Sequence, residues 1–153
     1  MKTLFFSPTI WISRSLGVLI LRLASGIVFF MHGAQKIFGW FGGGGLDGTI
    51  SFMNSLGIPT FMAYLASFWE FLGGIFLILG FLTRIWSAGF VIHMLVAIFT
   101  VHFSAGFFAS DGGYEFNMTL LAVSLSLVFL GAGKYSIDQT IYNNSSVDTE
   151  VVH

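Results

Sequence analysis

The chain has 153 residues, 56% of them hydrophobic and 8% charged, with a mean hydropathy of +0.88 and a net charge of −1. A soluble domain carries roughly 25% charged residues, so this composition excludes an ordinary soluble fold and indicates one membrane-embedded domain. The six Lys and Arg are scattered, which excludes a nucleic-acid-binding face, and the absence of Cys excludes disulfides, thiolate metal sites, iron–sulfur clusters and thiol redox chemistry by the chain alone.

The expected fold is an all-α membrane protein, a four-transmembrane-helix bundle with both termini cytoplasmic. Residues 1–14 read as a cytoplasmic N-terminal segment bearing Lys2 and Arg14. The first span covers about 15–38. Its small residues at Ala24 to Gly26 suggest a signal peptide, but Arg22 interrupts the apolar stretch and the segment outruns a signal core, so it reads as a retained helix. A glycine-rich outer loop follows over 39–59. Its GGGGLDGT stretch lacks the lysine–hydroxyl pair of a phosphate loop and follows no strand, so it reads as a flexible or re-entrant connection.

The second span, about 60–82, and the third, about 85–105, are joined by a loop short enough for a helical hairpin. The fourth, about 116–130, is short for a hydrocarbon layer of ~30 Å. Residues 134–153 are polar and mixed, and read as a partly disordered cytoplasmic tail. Arg84 and Lys134 fall on the side of the N-terminus, whereas Asp47, Asp111 and Glu115 mark the opposite loops. Positive charge prefers the cytoplasm, so the chain reads as a bacterial inner-membrane protein with its first and third loops outside. No internal repeat is visible.

Small and polar residues at three–four spacing mark the faces that meet in the bundle. These are Leu19, Arg22, Gly26, Phe29, Gly33 and Lys36 in the first span, and Ala63, Ala66, Glu70, Gly73 and Leu77 in the second. In the third they are Gly89, His93, Ala97, Thr100 and Ser104. The many Phe residues face lipid or fill the core.

An ionisable group deep in a span costs ~2.5–3.5 kcal/mol on insertion scales, yet Arg22, His32, Glu70, His93 and His102 all lie in spans. At ~1.5 Å per residue, Arg22 lies roughly 10 Å from the inner end, Glu70 roughly 18 Å, and His32 and His102 roughly 25 Å. Lys36 and Glu115 join the outer layer. Glu70 thus sits between Arg22 below and His32 with Lys36 above, and Arg22 is its expected partner. His93 and His102, nine positions apart, project from opposite sides of a straight helix at ~100° per residue. They share a site only if the helix breaks. His102 is favoured for the site, and His93 reads as an interior hydrogen-bonding residue. Haem or a metal between His32 and His102 is sterically allowed but has no spaced signature behind it, so no metal site is assigned.

In order and at these spacings, RLASG (Arg22 to Gly26), HGAQK (His32 to Lys36), LGIP (Leu56 to Pro59), EFLGG (Glu70 to Gly74), LGFLTR (Leu79 to Arg84), His102 and GGYE (Gly112 to Glu115) resemble the DoxX family of small four-helix membrane proteins. The resemblance covers about Leu19 to Gly131. It implies a membrane component linked to thiosulfate:quinone oxidoreduction, to oxidative-stress complexes or to catechol and quinone operons. Without Cys the chain has nothing to hold a persulfide.

Three functions remain in view. In the first, the chain is the membrane subunit of a quinone-linked oxidoreductase. A quinone enters from the lipid, and His32, His102 and Glu115 bond its oxygens. Lys36 stabilises the anion, Glu70 with Arg22 moves protons, and Gly33, Gly73 and Gly74 leave room for the ring. Glu70, His32 and His102 are the catalytic candidates. In the second it is a proton-coupled small-solute transporter. In the third it is a non-catalytic scaffold for a redox or stress complex. Expected partners are the bilayer, a redox subunit and a second copy of the chain.

Overall fold

The computed structural model describes residues 10–150, with side chains over 14–145. Within them the chain forms helices and no strand. Six are α-helical: α1 (Ile10–Phe38), α2 (Gly45–Ser55), α3 (Thr60–Leu79), α4 (Thr83–Ala97), α5 (Glu115–Leu130) and α6 (Ile137–Glu150). Three segments, Arg14–Phe38, Thr60–Leu79 and Thr83–Ala105, are long and apolar enough to cross a membrane, and α5 is a shorter apolar helix.

The most extensive contact is between α1 and α3. Small residues make it close. A Cβ on Gly33 would overlap the backbone of Phe71, and one on Gly74 would overlap that of Phe30. With lipid outside, no hydrophobic force drives these helices together, so van der Waals contact at this distance replaces it. Arg22, Gly26, Phe29 and Gly33 of the first expected stripe are buried, as are Ala63, Glu70, Gly73 and Leu77 of the second.

The α4 stripe is displaced by about one residue from the expected one. Thr83, Ser87, Phe90 and Met94 are its buried residues, because α4 packs chiefly on α5. Phe90 also stacks on Phe29, with centroids 3.6 Å apart and planes 8° from parallel. The expected face, Gly89 to Thr100, turns instead toward a cavity. A tight reversal joins α3 to α4. Gly80 takes φ 69° beyond the end of α3, and Phe81 donates to Phe76 O at 2.9 Å. Their rings lie 5.5 Å apart, the apolar contact that accompanies this helix ending.

The glycine-rich stretch is more ordered than a flexible connection. Gly39, at φ 70°, ends α1, and after one 3-10 turn the chain enters α2. α2 lies against α1 and α3 yet has no buried residue. Thr49 ties it to α1 by donating to Lys36 O at 3.2 Å.

The polar tail likewise departs from the expectation of disorder, since α6 occupies most of it. Asp138, in the first turn of α6, accepts hydrogen bonds from Leu82 N at 2.7 Å and Thr83 N at 3.0 Å. It thereby satisfies two orphan donors at the start of α4. Arg22 lies nearby, 1% exposed. Its guanidinium donates to the carbonyls of Leu77 (3.1 Å), Ile78 (3.3 Å), Tyr135 (2.9 Å) and Ala132. Two of these belong to the last turn of α3, where carbonyls lack helical partners and the helix dipole is negative.

Candidate functional site

Glu70 is 3% exposed on α3. Such a carboxylate requires compensation, and two cation-forming side chains converge on one of its oxygens. Lys36 Nζ reaches Oε1 at 2.5 Å and His93 Nε2 at 2.6 Å. A carboxylate only accepts, so Nε2 of His93 carries the hydrogen. Oε2 of Glu70 is buried and has no hydrogen-bond partner among the described residues.

This cluster replaces the expected pair of Glu70 with Arg22. Arg22 faces four carbonyls at the far end of α3, because one guanidinium matches several orphan carbonyls better than one distant carboxylate. Lys36 takes the place expected for it, above Glu70. His93 is a hydrogen-bonding residue, as expected, but its partner is Glu70 itself. The hairpin explains why. Glu70 and His93 lie 11 and 12 positions from Phe81 at the turn, so antiparallel packing brings them level.

The helix does break between the two histidines. Beyond Ala97 the chain makes a π-helical turn over Ile98–His102, then a 3-10 turn over Phe103–Ala105. The wider turn shifts the register. As a result, His93 and His102 line the same cavity. His102 Nδ1 donates to Gly112 O at 2.6 Å, which fixes the ring against the loop before α5.

The cavity has a volume of about 1000 Å³ and a largely apolar lining. Glu70, Lys36, His93, His32 and His102 supply most of its polar chemistry, with Thr49 and Asn117 beside them. Trp69, Phe29 and Phe116 supply flat apolar surface, and α2 contributes a wall through Gly48, Phe52 and Met53. His32 is exposed toward the C-terminal end of α1, its ring 6.2 Å from that of Phe116.

The other candidates stand apart from this cavity. Glu115 Oε2 accepts from Ala109 N at 3.0 Å and orders the loop before α5. Gly33 and Gly74 are occupied by the α1–α3 contact, and Gly73 by the ring of Phe90. Arg22 belongs to the opposite end of the bundle. Among the described residues no group of three His, Asp or Glu could hold a metal ion.

Comparison with known proteins gives a consistent picture. The DoxX family matches residues 17–103. A Bacillus subtilis protein named "Putative oxidoreductase CatD" is 36% identical over 130 residues, covering 85% of this chain and 90% of its own length. The Escherichia coli "Inner membrane protein YqjF" is 33% identical over 84% of this chain and 94% of its own length. A second Escherichia coli protein, "Inner membrane protein YphA", is 30% identical over 83% and 91%. No solved structure matches. Apolar helices able to span a bilayer, together with these inner-membrane relatives, make this a bacterial inner-membrane protein, and the chain belongs to the DoxX family.

Proposed function

We propose that the protein is the membrane subunit of a quinone-linked oxidoreductase system, with its ring site in the cavity above Glu70. One observation carries this reading: Glu70, a buried carboxylate held by Lys36 and His93 on one oxygen and unpartnered on the other, lines an apolar cavity of ring-binding size. The unpartnered Oε2 accepts a hydrogen bond from a ring hydroxyl and takes its proton. Lys36 stabilises the ring anion, and His32 and His102 bond the oxygen at the other end. The electrons pass to a partner redox subunit, since this chain has no Cys to carry them. The name of the Bacillus relative supports the redox assignment.

The topology that suits this reading has four spans, with α5 as the short fourth. Both termini, Arg84 and Lys134 lie in the cytoplasm and the Glu70 cavity in the outer half. The test is quenching of tryptophan fluorescence by a short-chain quinone, Trp69 lying in the cavity wall, together with quinol turnover in native membranes. Glu70→Gln and His32→Ala should each weaken binding at least tenfold and lower turnover. Unchanged binding and turnover in both variants would sink the proposal.

A further inference from the structure

A second cavity, of about 930 Å³, lies at the end of the bundle where α1 enters, α4 starts and α5 stops. Three of the six Lys and Arg of the chain line it: Arg14, Arg84 and Lys134. Its one acidic lining residue is Asp138. Both carboxylate oxygens of Asp138 are committed to backbone amides at the start of α4, so the cations outnumber their local counter-charge.

Arg84 and Lys134 are exposed, and neither has a hydrogen bond or ion pair among the described residues. Arg84 is nonetheless placed, its guanidinium lying over the backbone of Gly131 at the end of α5. Arg22, deeper in the bundle, is already saturated by carbonyls. The free cations are therefore the two at the rim, where the apolar spans stop and lipid phosphates lie.

The remaining lining identifies the source of the anion. Leu82, the residue before α4, and Ile85, on its first turn, also line the cavity and are 43% and 60% exposed. A free phosphate gains nothing from an apolar wall that continues onto the lipid-facing side of a span. An amphiphile gains from both parts.

We propose that this cavity binds the headgroup of an anionic phospholipid. Its phosphate sits between Arg84 and Lys134, and its glycerol and upper acyl chain lie along Leu82 and Ile85. The site is independent of whatever occupies the Glu70 cavity.

Native mass spectrometry of the full-length protein, delipidated and then exposed to phosphatidylglycerol or phosphatidylcholine, tests this. Wild-type protein should retain phosphatidylglycerol at least tenfold more strongly than phosphatidylcholine. Arg84→Gln with Lys134→Gln should abolish that preference, and Arg84→Lys with Lys134→Arg should restore it. Ile85→Gln, which leaves both charges in place, should weaken retention of phosphatidylglycerol. An unchanged preference in the double Gln variant overturns the proposal. So does displacement of the lipid by millimolar inorganic phosphate, which would make this a free-anion site. Both cations are exposed, so thermal unfolding of the variants should match wild type without lipid, and only wild type should gain stability from phosphatidylglycerol.

Discussion

Lys36 and Glu70, 34 positions apart in sequence, close a 2.5 Å ion pair between α1 and α3. Glu70 is almost wholly buried, so losing its partner leaves a carboxylate without its nearest cation. Removing one member of a buried pair typically costs about 3–5 kcal/mol; Lys36→Met is expected near the low end, because His93 still holds Oε1. Lys36→Met with Glu70→Leu should recover most of the loss, read as the midpoint of denaturant unfolding in detergent. If the double variant also keeps full quinol turnover in membranes, the cluster is structural and the scaffold reading replaces the redox one.

The π-helical turn makes a separate prediction. It holds one residue more than an α-helical path would need. Deleting Phe99, which is 67% exposed, should restore a continuous α-helix and leave His102 eight positions from His93, about 80° round the axis and still on the cavity side. Ring binding should therefore be nearly unchanged, and His93 and Glu70 should remain paired. Infrared bands of the carboxylate, unchanged between the two proteins, would check the second half.

Arg22→Lys should be poorly tolerated despite its retained charge. A lysine ammonium has three donors at one point and cannot span the four carbonyls that the guanidinium reaches. Each orphaned buried carbonyl costs about 1–3 kcal/mol, and the thermal midpoint should drop accordingly. Glu70 does not touch Arg22, so ring affinity per folded molecule should stay as in wild type.

Gly33→Ala should force α1 and α3 apart, because its Cβ would overlap the Phe71 backbone. Overpacking of this kind costs about 1–3 kcal/mol. Gly17→Ala, with nothing within 4 Å of its added Cβ, is the control and should be neutral or mildly stabilising. Equal destabilisation of both variants would show that the α1–α3 contact is looser than described.

Asp138→Ala removes the acceptor for two α4 amides. Loss of one such cap costs about 1 kcal/mol. Hydrogen exchange should quicken first at Leu82 and Thr83, before any change near Glu70.

The helical class and the buried glycine seam were legible because composition and three–four spacing respond directly to lipid. The α3–α4 hairpin was equally plain, from the short loop at Arg84 between two long apolar runs, although the turn itself falls at Gly80. Depth put Lys36 above Glu70 but made Arg22 the partner of Glu70, so the pair that forms was not read. The placement of Arg22 could not be read that way. Its partners are backbone carbonyls, and every residue carries one, so no side-chain pattern advertises them. His93 was set apart from the site because the break that joins it to His102, the π turn, leaves no mark in IFTVH. The α3–α4 hairpin did hold the missing signal, since residues equidistant from its turn must face each other. α2 and α6 were hidden by glycine and polar composition, because each is fixed by what it leans on.

α2 is a wall without a core of its own. It closes one side of the Glu70 cavity, yet none of its residues is buried, and glycines at positive φ flank it at Gly45 and Gly57. The chemistry of the site and its width are therefore set by different parts of the chain. The carboxylate and its cations are locked into α1, α3 and α4, whereas the clearance around them depends on a surface helix that can shift without unpacking the bundle. Changes confined to α2 are free to alter which molecules fit while Glu70, Lys36 and His93 stay where they are.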